Sequence, residues 1–551
     1  MKQNIKYIFV VGGVMSGVGK GIASASMGKI IQSRGFKVTA IKIDPYVNVD
    51  AGTMNPTEHG ETFVLDDGKE CDQDMGNYER FLGYDLTSAN YMTTGSIYQS
   101  VINKERNLEY NGSCVEVVPH IPLEILDRLN KAAIKNKAEI VMVEIGGTVG
   151  EYQNILFLEA IRMLRLKNPK DVLLALVSYL PYQGEGGELK TKPTQYAVRT
   201  LNSAGLQPDI ILARAKFPLD KKRKNKIAFN CNVSEESVIS APDVENIYEV
   251  PINFERDNLS EIILKKLFLK PKKRNLTDWR KFIESIKNAR GSIKIGVVGK
   301  YFGTGEFILS DSYISVIEAI KHAVYSFNKK PVIHWLNSEE FDPLINSGQN
   351  AKNLKKLKDY HGIIVPGGFG SRGVEGKIAV IKYCREHKIP FLGLCYGMQL
   401  AVVEYSRSKA GLKNANTTEV NPKTTYPVID ILPEQKKNML EKNYGGSMRL
   451  GSYPAALKEG TIAISAYKQP LISERHRHRY EVNPRYVSIL EKKGLIFSGF
   501  SPDNRLMEII ELPISKHPFF VASQFHPEFK SNPLNPHPLF KEFIRAAIKN
   551  R

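Results

Sequence analysis

The sequence predicts an α/β protein of two domains, each built on a mainly parallel sheet flanked by helices. An apolar run at residues 7–11 leads through a glycine-rich loop into an amphipathic segment at 22–34, and a second strand-like run follows at 37–43. The same rhythm restarts at Ser292, after a polar segment of weak periodicity. Alternating β and α segments favour parallel pairing with helices on the faces of the sheet. A chain of 551 residues is also too long for a single core.

The predicted domains are residues 1–270 and 292–551, joined by a linker at 271–291 with a short helix around Trp279. A polar stretch at 48–79 is rich in Gly, Asp and Thr, and we expect it to lie outside the core. Further strands of the first domain are predicted at 141–145, 172–177, 210–213 and 237–240. In the second domain the pattern predicts strands at 293–298, 332–336, 362–365 and 391–394 and a helix at 311–327.

Composition excludes several classes of protein. The formal net charge of +19 favours anionic partners, but the basic residues are dispersed, and short runs such as 221–224 and 272–274 are typical of solvated faces rather than of nucleic-acid contacts. The five cysteines have no CxxC spacing, which fits a reducing compartment. No segment has the apolar length needed to span a bilayer. We therefore expect a cytoplasmic protein without a membrane or nucleic-acid partner.

A glycine-rich loop, Gly12 to Gly21, follows the first predicted strand. Strand, glycine loop and helix form the context in which backbone N–H groups and a helix N-terminus hold phosphate. Lys20 would then reach the terminal phosphates of a nucleotide. The loop is a variant, because five residues separate Gly13 from Gly19 and because Gly21 replaces the usual Ser or Thr. A structural turn between core elements is the alternative.

Two carboxylates are candidates for the magnesium ligands that Gly21 cannot supply. Asp74 lies near a glycine in the polar stretch, and Glu144 lies near the end of an apolar strand. A carboxylate in that second position is costly unless a cation or hydrogen bonds compensate it. Mg²⁺ keeps several waters and takes few protein ligands, so two carboxylates and nucleotide phosphates suit it. The alternative is a solvated Asp74 and a Glu144 bonded to backbone N–H groups.

A second polar loop, at residues 184–195, combines glycines with two lysines and two threonines. Cations and hydroxyl groups suit a polyphosphate, and Gln195 at its end could read a base edge. Lys226 lies between the next two predicted strands. By itself the loop does not identify a ligand.

Six segments together resemble the amidoligase domain of the CTP synthase family: GGVMSGVGKG, KIDPYVNVDAGTMNPTEHGE, DMGNYERF, VEIGGTVGE, GELKTKPTQ and NVSEESVISAPDV. The resemblance implies that Mg²⁺ lies on Asp74 and Glu144 and that Lys20 and Lys42 serve phosphoryl transfer. It implies ATP contacts at Gly17, Val18, Gly19, Lys20, Gly21, Ile22, Asp74, Asp243 and Val244. It implies UTP or CTP contacts at Ser16, Glu151, Tyr152, Gln153, Lys190, Thr191, Lys192, Pro193, Thr194, Gln195 and Lys226.

The chain departs from this family pattern in two places. The family often has Ser-Ser-Leu where this chain has Ser-Gly-Val at residues 16–18, and glycine preserves the backbone donors. After VEIGGTVG a common form is Asp-Ile-Glu, whereas Glu-Tyr-Gln stands here at 151–153. That region is implied in binding CTP, so the missing carboxylate at Gln153 bears on the strength of feedback by CTP.

The second half contains the pattern of a cysteine nucleophile. Cys395 stands between an apolar strand and a predicted helix and is flanked by Gly393 and Gly397, as in the nucleophile elbow of hydrolases. A helix N-terminus stabilises a thiolate. His526 and Glu528 are two residues apart, a spacing that in an extended chain places both side chains on one face.

Glu528 could therefore orient His526, and His526 could serve Cys395 as a general base. The glycines of Pro-Gly-Gly at residues 366–368 offer backbone N–H groups for an oxyanion hole. The alternatives are a buried core cysteine and a structural histidine.

The chain from residue 293 to the C-terminus resembles class I glutamine amidotransferase domains. The resemblance implies a γ-glutamyl thioester on Cys395. It implies glutamine contacts at Gly368, Tyr396, Gly397, Met398, Gln399, Glu419 and Arg479. The segment ERHRHRYEVN, at residues 474–483, matches the CTP synthase form. Its interleaved arginines would repel a cation, so we expect no metal there.

The two resemblances imply a ligase that phosphorylates O4 of UTP with ATP and displaces the phosphate with ammonia from glutamine. They also imply an ammonia channel, a homotetramer, activation by GTP near Arg372 and feedback by CTP. A different amidoligase built from the same two modules is one alternative, but it should lack GELKTKPTQ and ERHRHRYEVN. A non-catalytic nucleotide-binding assembly protein is another, and the intact Lys20, Cys395 and His526 argue against it.

Overall fold

The computed structural model of the chain describes residues 5–183, 188–272, 276–300, 303–304, 307–308, 310–346, 348–431, 435 and 446–550. The predicted loop residues 184–187 and linker residues 273–275 lie outside this described part. The chain forms two compact units, Met1–Ala51 with Asp74–Ile283 and Gly52–Gln73 with Glu284–Arg551. Among the described residues, no helix combines the length and hydropathy that crossing a bilayer requires.

In the described residues, the first unit contains a seven-stranded sheet in which all neighbouring strands are parallel. Its strands are β1 (Lys6–Gly13), β2 (Val38–Asp44), β3 (Tyr91–Thr93), β4 (Ile140–Ile145), β5 (Val172–Tyr179), β6 (Ile210–Ala215) and β7 (Val238–Pro242). Their spatial order is β7-β6-β5-β1-β4-β2-β3. Strands β1, β2 and β4 are buried along their whole length, as expected for a parallel sheet covered on both faces.

Helices cover this sheet because each strand must return to the same edge before the next parallel strand can begin. They are α1 (Lys20–Ser33), α2 (Asp74–Leu82), α3 (Thr94–Arg106), α4 (Val117–Lys135), α5 (Ile155–Lys167), α6 (Lys192–Ser203), α7 (Lys221–Cys231), α8 (Val250–Arg256), α9 (Leu259–Lys266) and α10 (Thr277–Lys287). Short 3₁₀ turns lie at Ser88–Asn90, Tyr152–Asn154, Glu235–Ser237 and Ile247–Glu249, and a two-strand pair joins Tyr182–Gln183 to Glu188–Leu189.

The helix predicted around Trp279 is α10, and its first turns belong to the first unit. Trp279 is 1% exposed and donates from Nε1 to the carbonyl of Tyr248 at 2.9 Å. Its ring also lies 5.3 Å from that of Phe81. This part of the predicted linker is therefore anchored by apolar packing.

The segment Gly52–Gln73 belongs to the second unit, although it lies within the first half of the chain. It contains a one-turn helix, Pro56–His59, and the paired strands Phe63–Val64 and Glu70–Cys71. The expectation that the polar stretch lies outside the core is wrong here, because Phe63, Val64, Leu65 and Cys71 are fully buried. The polar composition concealed a short apolar hairpin.

In the described part of the chain, the second unit contains a nine-stranded sheet with the spatial order β9-β8-β10-β11-β16-β15-β14-β12-β13. Its strands are β8 (Ser292–Gly299), β9 (Lys330–Asn337), β10 (Gly362–Val365), β11 (Phe391–Leu394), β12 (Arg449–Leu457), β13 (Leu471–His478), β14 (Ile496–Phe500), β15 (Met507–Glu511) and β16 (Phe520–Ser523). Strands β8 to β11 and β16 pair in parallel. The other four pair antiparallel and extend the predicted parallel core.

The helices of the second unit are α11 (Ile314–Tyr325), α12 (Asn350–Lys355), α13 (Val374–Glu386), α14 (Tyr396–Ser408), α15 (Ile462–Tyr467), α16 (Pro484–Glu491) and α17 (Pro538–Lys549). Short 3₁₀ turns lie at Ser310–Tyr313, Ser338–Phe341, Lys356–Asp359 and Pro527–Lys530. A three-stranded sheet joins Ala415–Thr417, Tyr426–Ile431 and Tyr480–Val482, and Gly303–Thr304 pairs with Phe307–Ile308. The predicted α/β class is confirmed, and α11 begins three residues later than predicted because the 3₁₀ turn precedes it.

Candidate functional site

Several of the predicted nucleotide residues of the first unit lie at or just after the carboxyl ends of its parallel strands. The glycine loop follows β1, Glu144 is the penultimate residue of the neighbouring strand β4, and Asp243 follows β7, whereas Lys226 lies within helix α7. Because the strands are parallel, these ends share one edge of the sheet, where ligands of such folds bind. The strand register places Glu144 opposite both Val10 and Lys42. The fold therefore assembles groups that are far apart in sequence.

The glycine loop places Lys20 at the first position of helix α1. Gly17 and Gly19 have φ angles of 72° and 85°, a left-handed conformation that glycine adopts without steric penalty. The Lys20 ammonium donates to the carbonyl of Gly147 at 2.7 Å. Burial lowers the pKa of Lys20 from its ordinary value, while the charge of Glu144 opposes this shift. An anionic ligand at the loop would offset that burial.

Gly21 leaves room for the carboxylate of Asp74. A Cβ atom at position 21 would overlap that carboxylate, so Asp74 takes the space where a usual P-loop carries a hydroxyl side chain. The Lys42 ammonium is bonded to Asp74 and lies 2.9 Å from Glu144 Oε1. The predicted metal ligands are thus brought together around one lysine.

The charges of this cluster respond to burial in different ways. Burial raises the pKa of Glu144, and Lys42 opposes the rise. For Asp74, burial acts to raise the pKa, but the charge and hydrogen bond of Lys42, the hydrogen bond from Asn77 and the charge of Lys20 together outweigh burial, so the pKa is lowered. Burial also raises the pKa of Asp44 to about 6. Tyr78 donates its hydroxyl to Glu144, a partner that the sequence motifs did not reveal.

A divalent cation fits this donor set. The protein would supply only two of its ligands, because among the described residues no group of three or more His, Cys, Asp and Glu side chains could hold a metal ion. Two carboxylates completed by phosphate oxygens and water match the preference of Mg²⁺ for few protein ligands. Asp74 and Glu144 are the carboxylates that Lys42 already bridges. The chemistry of the two carboxylates therefore suits a hard cation.

A cavity of about 200 Å³ lies beside the glycine loop. Its lining includes Gly19, Ile22, Asp243 and Val244, which are four of the residues predicted to contact ATP. Arg214 closes one side and donates to Asp243 at 2.9 Å. The size and position suit a nucleotide base.

The residues predicted to contact UTP belong to four separate segments of the first unit. The pKa of Glu188 is lowered mainly by the hydrogen bond and charge of Lys190 and to a smaller extent by the charge of Lys226. Gln195 is buried and bonds to Thr191 within its own helix, so its amide is turned inward in this conformation. The other members are Ser16 in the glycine loop, Lys192, Pro193 and Thr194 at the start of α6, and Glu151, Tyr152 and Gln153 after β4.

The Glu151 to Gln153 segment has its own hydrogen bonds. The carboxylate of Glu151 accepts from the Thr148 N–H at 2.7 Å and from the Gln153 amide at 2.6 Å. Tyr152 is 93% exposed. Gln153 thus supports Glu151, and the carboxylate that the common family form has at position 153 is replaced by a donor.

Cys395 occupies a strained turn between β11 and α14. Its φ and ψ are 49° and −98°, and a non-glycine residue holds such angles only when its surroundings enforce them. The Cys395 N–H donates to the carbonyl of Ser523 at 2.7 Å. A Cβ atom at Gly397 would overlap the carbonyl of Val365. The predicted elbow is present, and the flanking glycine permits its close packing.

His526 and Glu528 are joined by a hydrogen bond of 2.7 Å between Nδ1 and Oε1. The expected extended chain is wrong, because Pro527–Lys530 is a 3₁₀ turn with His526 as its N-cap. Burial lowers the pKa of His526, but Glu528 and then Cys395 raise it to a net value of about 10. The raised pKa favours the protonated imidazole, which is paired with the Glu528 carboxylate on one side and interacts with Cys395 on the other.

Two groups that the sequence reasoning missed hold the sulfur of Cys395. The Nε2 of Gln524 lies 3.6 Å from Sγ, and Sγ lies 3.8 Å from the carbonyl oxygen of Arg477. Glu70 accepts from the Arg477 side chain at 2.8 Å. Arg and His alternate along β13, and successive side chains of a strand point to opposite faces. This alternation was the sequence signal that one face of β13 lines the site.

The segment Gly52–Gln73 also supports the histidine. Phe63 packs edge-on against Phe529 with 4.9 Å between ring centroids, and Phe529 stacks on His526 at 5.1 Å. Asp66 accepts from Arg475 of β13 at 2.5 Å. The hairpin thus packs behind two parts of the candidate catalytic site.

The loop from Gly367 to Gly370 lies against the cysteine and histidine. A Cβ atom on Gly367 would stand 2.9 Å from His526 Cε1 and 3.8 Å from Cys395 Cβ. The Gly370 N–H donates to Glu419 at 2.7 Å, and the Tyr396 hydroxyl donates to the Gly370 carbonyl at 2.6 Å. Within the described chain, the Gly367 and Gly368 N–H groups donate no hydrogen bond, which suits an oxyanion hole.

A cavity of about 840 Å³ opens beside these groups. It is lined by the three candidate catalytic residues and by Gly368, Gln399, Glu419 and Arg479 of the predicted glutamine set, together with Arg372. Tyr396, Gly397 and Met398 are buried behind its wall. Arg372 is bonded to Glu339 at 2.6 Å. The segment Gly52–Gln73 contributes residues 52–56, 61 and 62 to the lining.

The two histidines of ERHRHRYEVN are buried in a polar cluster. His476 Nδ1 and His478 Nε2 are 2.9 Å apart. Burial and then the charge of Arg449 hold the pKa of both well below its ordinary value. Arg449 itself bonds Glu481 at 3.0 Å and Glu508 at 2.7 Å. Both imidazoles are therefore neutral beside a paired arginine.

Comparison with known proteins gives matches over the length of both units. A family model described as CTP synthase N-terminus matches residues 6–269, and one described as glutamine amidotransferase class-I matches residues 308–546. The CTP synthase of Caldanaerobacter subterraneus subsp. tengcongensis is 50% identical over 545 residues, with 98% of each chain covered. That of Methanocaldococcus jannaschii is 51% identical over 553 residues, covering 99% of this chain and 98% of the relative.

A solved structure, the Trypanosoma brucei CTPS glutaminase domain with bound acivicin, is also similar to this chain. It is 36% identical with a TM-score of 0.43, and the match covers 47% of this chain and 94% of that one.

Proposed function

We propose, from the premise that this chain belongs to the CTP synthase family, that each of its two units performs one half of a single reaction. As a member of that family, the chain is a glutamine-hydrolysing ligase. The first unit would phosphorylate UTP and exchange the phosphate for ammonia, and the second would release that ammonia from glutamine. The domain boundaries at 270 and 292 remain a prediction, since Gly52–Gln73 packs with the second unit.

The observation that carries the proposal is the presence of two complete constellations in one chain. Lys20, Lys42 and two carboxylates meet at the edge of the parallel sheet. A thiol, a carboxylate-bound imidazole and a glycine loop meet in the second unit. A non-catalytic assembly protein would have no need to keep a strained cysteine or a buried cluster of opposite charges.

In the first unit, the O4 atom of UTP would take the γ-phosphoryl group of ATP, and ADP would leave. Ammonia would then attack C4 of the phosphorylated ring, and phosphate would leave to give CTP. Lys20 and Lys42 would stabilise the charge on the transferring group. Bound Mg²⁺, held by Asp74 and Glu144, would neutralise charge on the phosphates. Gly21 leaves the Asp74 carboxylate room to face them.

The metal assignment predicts a steep change in the requirement for Mg²⁺. Asp74→Asn and Glu144→Gln should each raise the Mg²⁺ concentration for half-maximal CTP formation by about 10-fold or more. The double variant should be little worse than the worse single one, because a shared site gives non-additive effects. Mg²⁺ titrations at saturating ATP and UTP measure this.

Asp127→Asn is the matched control, since Asp127 forms a surface pair with Lys131 and should leave the titration unchanged. Melting temperatures verify that the three site variants fold. If both single variants kept the parental Mg²⁺ dependence, the two carboxylates would not be the metal ligands.

In the second unit, the Cys395 thiolate would attack the amide carbon of glutamine, and the Gly367 and Gly368 N–H groups would hold the developing oxyanion. The His526 imidazolium would give its proton to the leaving ammonia. Water would then open the γ-glutamyl thioester to glutamate. The glutamine itself would contact the residues that line the large cavity, among them Glu419 and Arg479.

The pairing of His526 with Glu528 predicts a shift in the pH profile of glutamine use. Its pKa of about 10 keeps His526 protonated as pH rises. Glu528→Gln removes the negative charge that raises this pKa, so the alkaline limb of kcat/KM for glutamine should move to lower pH. The rate near neutrality should fall by about 10²-fold. Ammonium-dependent CTP formation by the same variant should match the parent, and an unmoved alkaline limb would contradict the pairing.

Further properties follow from the family resemblance. UTP or CTP would contact the residues around Lys190, Lys226 and Glu151, GTP would activate glutamine hydrolysis near Arg372, and CTP would act as a feedback inhibitor. The active form would be a homotetramer. The cysteines are free among the described residues, which suits the reducing cytoplasm.

The test of the function is an assay of the purified chain with UTP, ATP and Mg²⁺, once with glutamine and once with ammonium. CTP, ADP and phosphate should form in equal amounts from both nitrogen sources. An amidoligase with another acceptor would make no CTP from UTP with either nitrogen source. Formation of no CTP with either source would overturn the proposal.

A further inference from the structure

Lys377 is a fully buried lysine that none of the predicted roles uses. It lies in the first turn of α13, and its side chain is 0% exposed. Its Nζ atom has no hydrogen-bond partner among the described residues. A buried ammonium without a partner is strongly destabilising, so the position of this amine needs an explanation beyond packing.

The Lys377 amine lies directly behind the glycine loop of the cysteine site. Its Nζ is 3.6 Å from the point where a Cβ atom of Gly368 would stand. It is also 5.3 Å from the centre of the Tyr396 ring, within the range of a cation–π contact. Tyr396 follows the nucleophile in sequence and binds the Gly370 carbonyl. The lysine amine therefore lies close to both the glycine loop and the first residue of α14, the helix that follows Cys395.

Other groups contact the two ends of the Gly367–Gly370 loop, and Lys377 is the charged residue next to the Gly368 peptide. Lys300 is bonded to the Phe369 carbonyl, and Glu419 accepts from the Gly370 N–H. Gly367, at the near end, lies against His526 and Cys395. Between these two anchored ends, the nearest charged atom to position 368 is the Lys377 amine.

We infer that Lys377 is a positioning residue for glutamine hydrolysis, whose buried ammonium acts through the Gly368 peptide to stabilise the oxyanion that forms on attack by Cys395. Negative charge would develop on the glutamine amide oxygen, to which the Gly367 and Gly368 N–H groups would donate. The positive charge of Lys377 behind these N–H groups would stabilise that oxygen. The ammonium would gain in the transition state the partner that it lacks in the ground state. This inference rests on the proposed function of the second unit.

The protonation of Lys377 provides a way to isolate its effect. Burial lowers its pKa to about 7, the charge of Lys300 adds to this shift, and that of Glu419 opposes it. Its charge is therefore present at acidic pH and is lost as pH rises. Other ionisable groups on the elements packed against α13 have partners of their own: Glu339 with Arg372, Arg385 with Glu404, and Arg407 with Glu375.

The test compares Lys377→Met with the parent, because methionine keeps an unbranched stem without the charge. The kcat for glutamine hydrolysis is measured at saturating glutamine from about pH 6 to pH 9. The parent-to-variant ratio of kcat should be about 10-fold at the acidic end and should approach one at the alkaline end. The KM for glutamine should change little. Lys382→Met is the control, since Lys382 is exposed on the same helix.

Each outcome separates the inference from the proposed function. A parent that hydrolyses no glutamine would overturn the function itself. A parent that hydrolyses glutamine, with a kcat ratio of one throughout or with a deficit independent of pH, would overturn the role of Lys377 alone. Melting temperatures and ammonium-dependent CTP formation monitor folding. If Lys377→Met does not fold, Lys377→Gln replaces it, and failure of both to fold would make Lys377 structural and overturn the inference.

Discussion

Replacing Cys395 with alanine should abolish CTP formation from glutamine while leaving CTP formation from ammonium near the parental rate. The thiol is the nucleophile proposed for glutamine, and loss of the nucleophile from a catalytic triad lowers the rate by about 10⁴-fold or more. Added ammonia bypasses this step. The glycine loop, Asp74 and Glu144 belong to the other unit, so their chemistry should continue. Raised pH should help by increasing the fraction of NH₃.

Assays with each nitrogen source, and mass spectrometry of the protein incubated with glutamine, measure this effect. The parent should carry a γ-glutamyl adduct on Cys395, and Cys395→Ala should carry none. Cys114→Ala is the control, because Cys114 is an exposed free thiol in the first unit. Efficient use of glutamine by Cys395→Ala would overturn the elbow assignment. Equal loss of both activities would point to a folding defect, which a melting curve would reveal.

Replacing Lys20 with alanine should abolish CTP formation from glutamine and from ammonium alike. Both routes require phosphorylated UTP, and removal of a cation from a phosphoryl-transfer site lowers the rate by about 10³-fold or more. The buried Lys20 ammonium lies at the start of α1, where the glycine loop would present phosphate to it. Residual glutaminase activity should survive, because the triad lies in the other unit.

CTP formation with both nitrogen sources and release of glutamate are measured side by side. Lys29→Ala is the matched control on the same helix, where Lys29 lies 5.2 Å from the centre of the Trp279 ring rather than at the glycine loop. It should keep both activities. Normal ammonium-dependent CTP synthesis by Lys20→Ala would remove Lys20 from the phosphoryl-transfer site.

Local patterns predicted the fold class correctly, and they also predicted the side chains that we propose as the reacting groups. Apolar runs bounded by glycine predicted β1, β10 and β11 within about two residues because a buried strand needs a continuous apolar segment. The change from an apolar strand to a helix at Cys395, with a glycine on each side, predicted the elbow. His526 and Glu528 were paired correctly, although a 3₁₀ turn rather than an extended chain joins them. Spacing predicts that two side chains are near each other more reliably than it predicts the backbone between them.

Contacts between distant segments were beyond these patterns. Nothing in the local sequence reveals that Tyr78 donates to Glu144 or that Gln524 approaches Cys395. Residues 48–79 looked too polar for a core, yet Phe63 within them packs on Phe529 in the second unit. Whether a short apolar hairpin is buried depends on the surface that another part of the chain offers it.

Residue type and spacing within short segments were enough to predict the α/β class, the glycine loop with Lys20, and the set of Cys395, His526 and Glu528. The bridge from Lys42 to Asp74 and Glu144 and the position of Lys377 behind Gly368 became visible only in the folded chain. Residues far apart in sequence meet only after the sheet order and helix packing are set. The resulting charges and distances are properties of the packed chain, because burial and neighbouring groups set the electrostatics of each side chain.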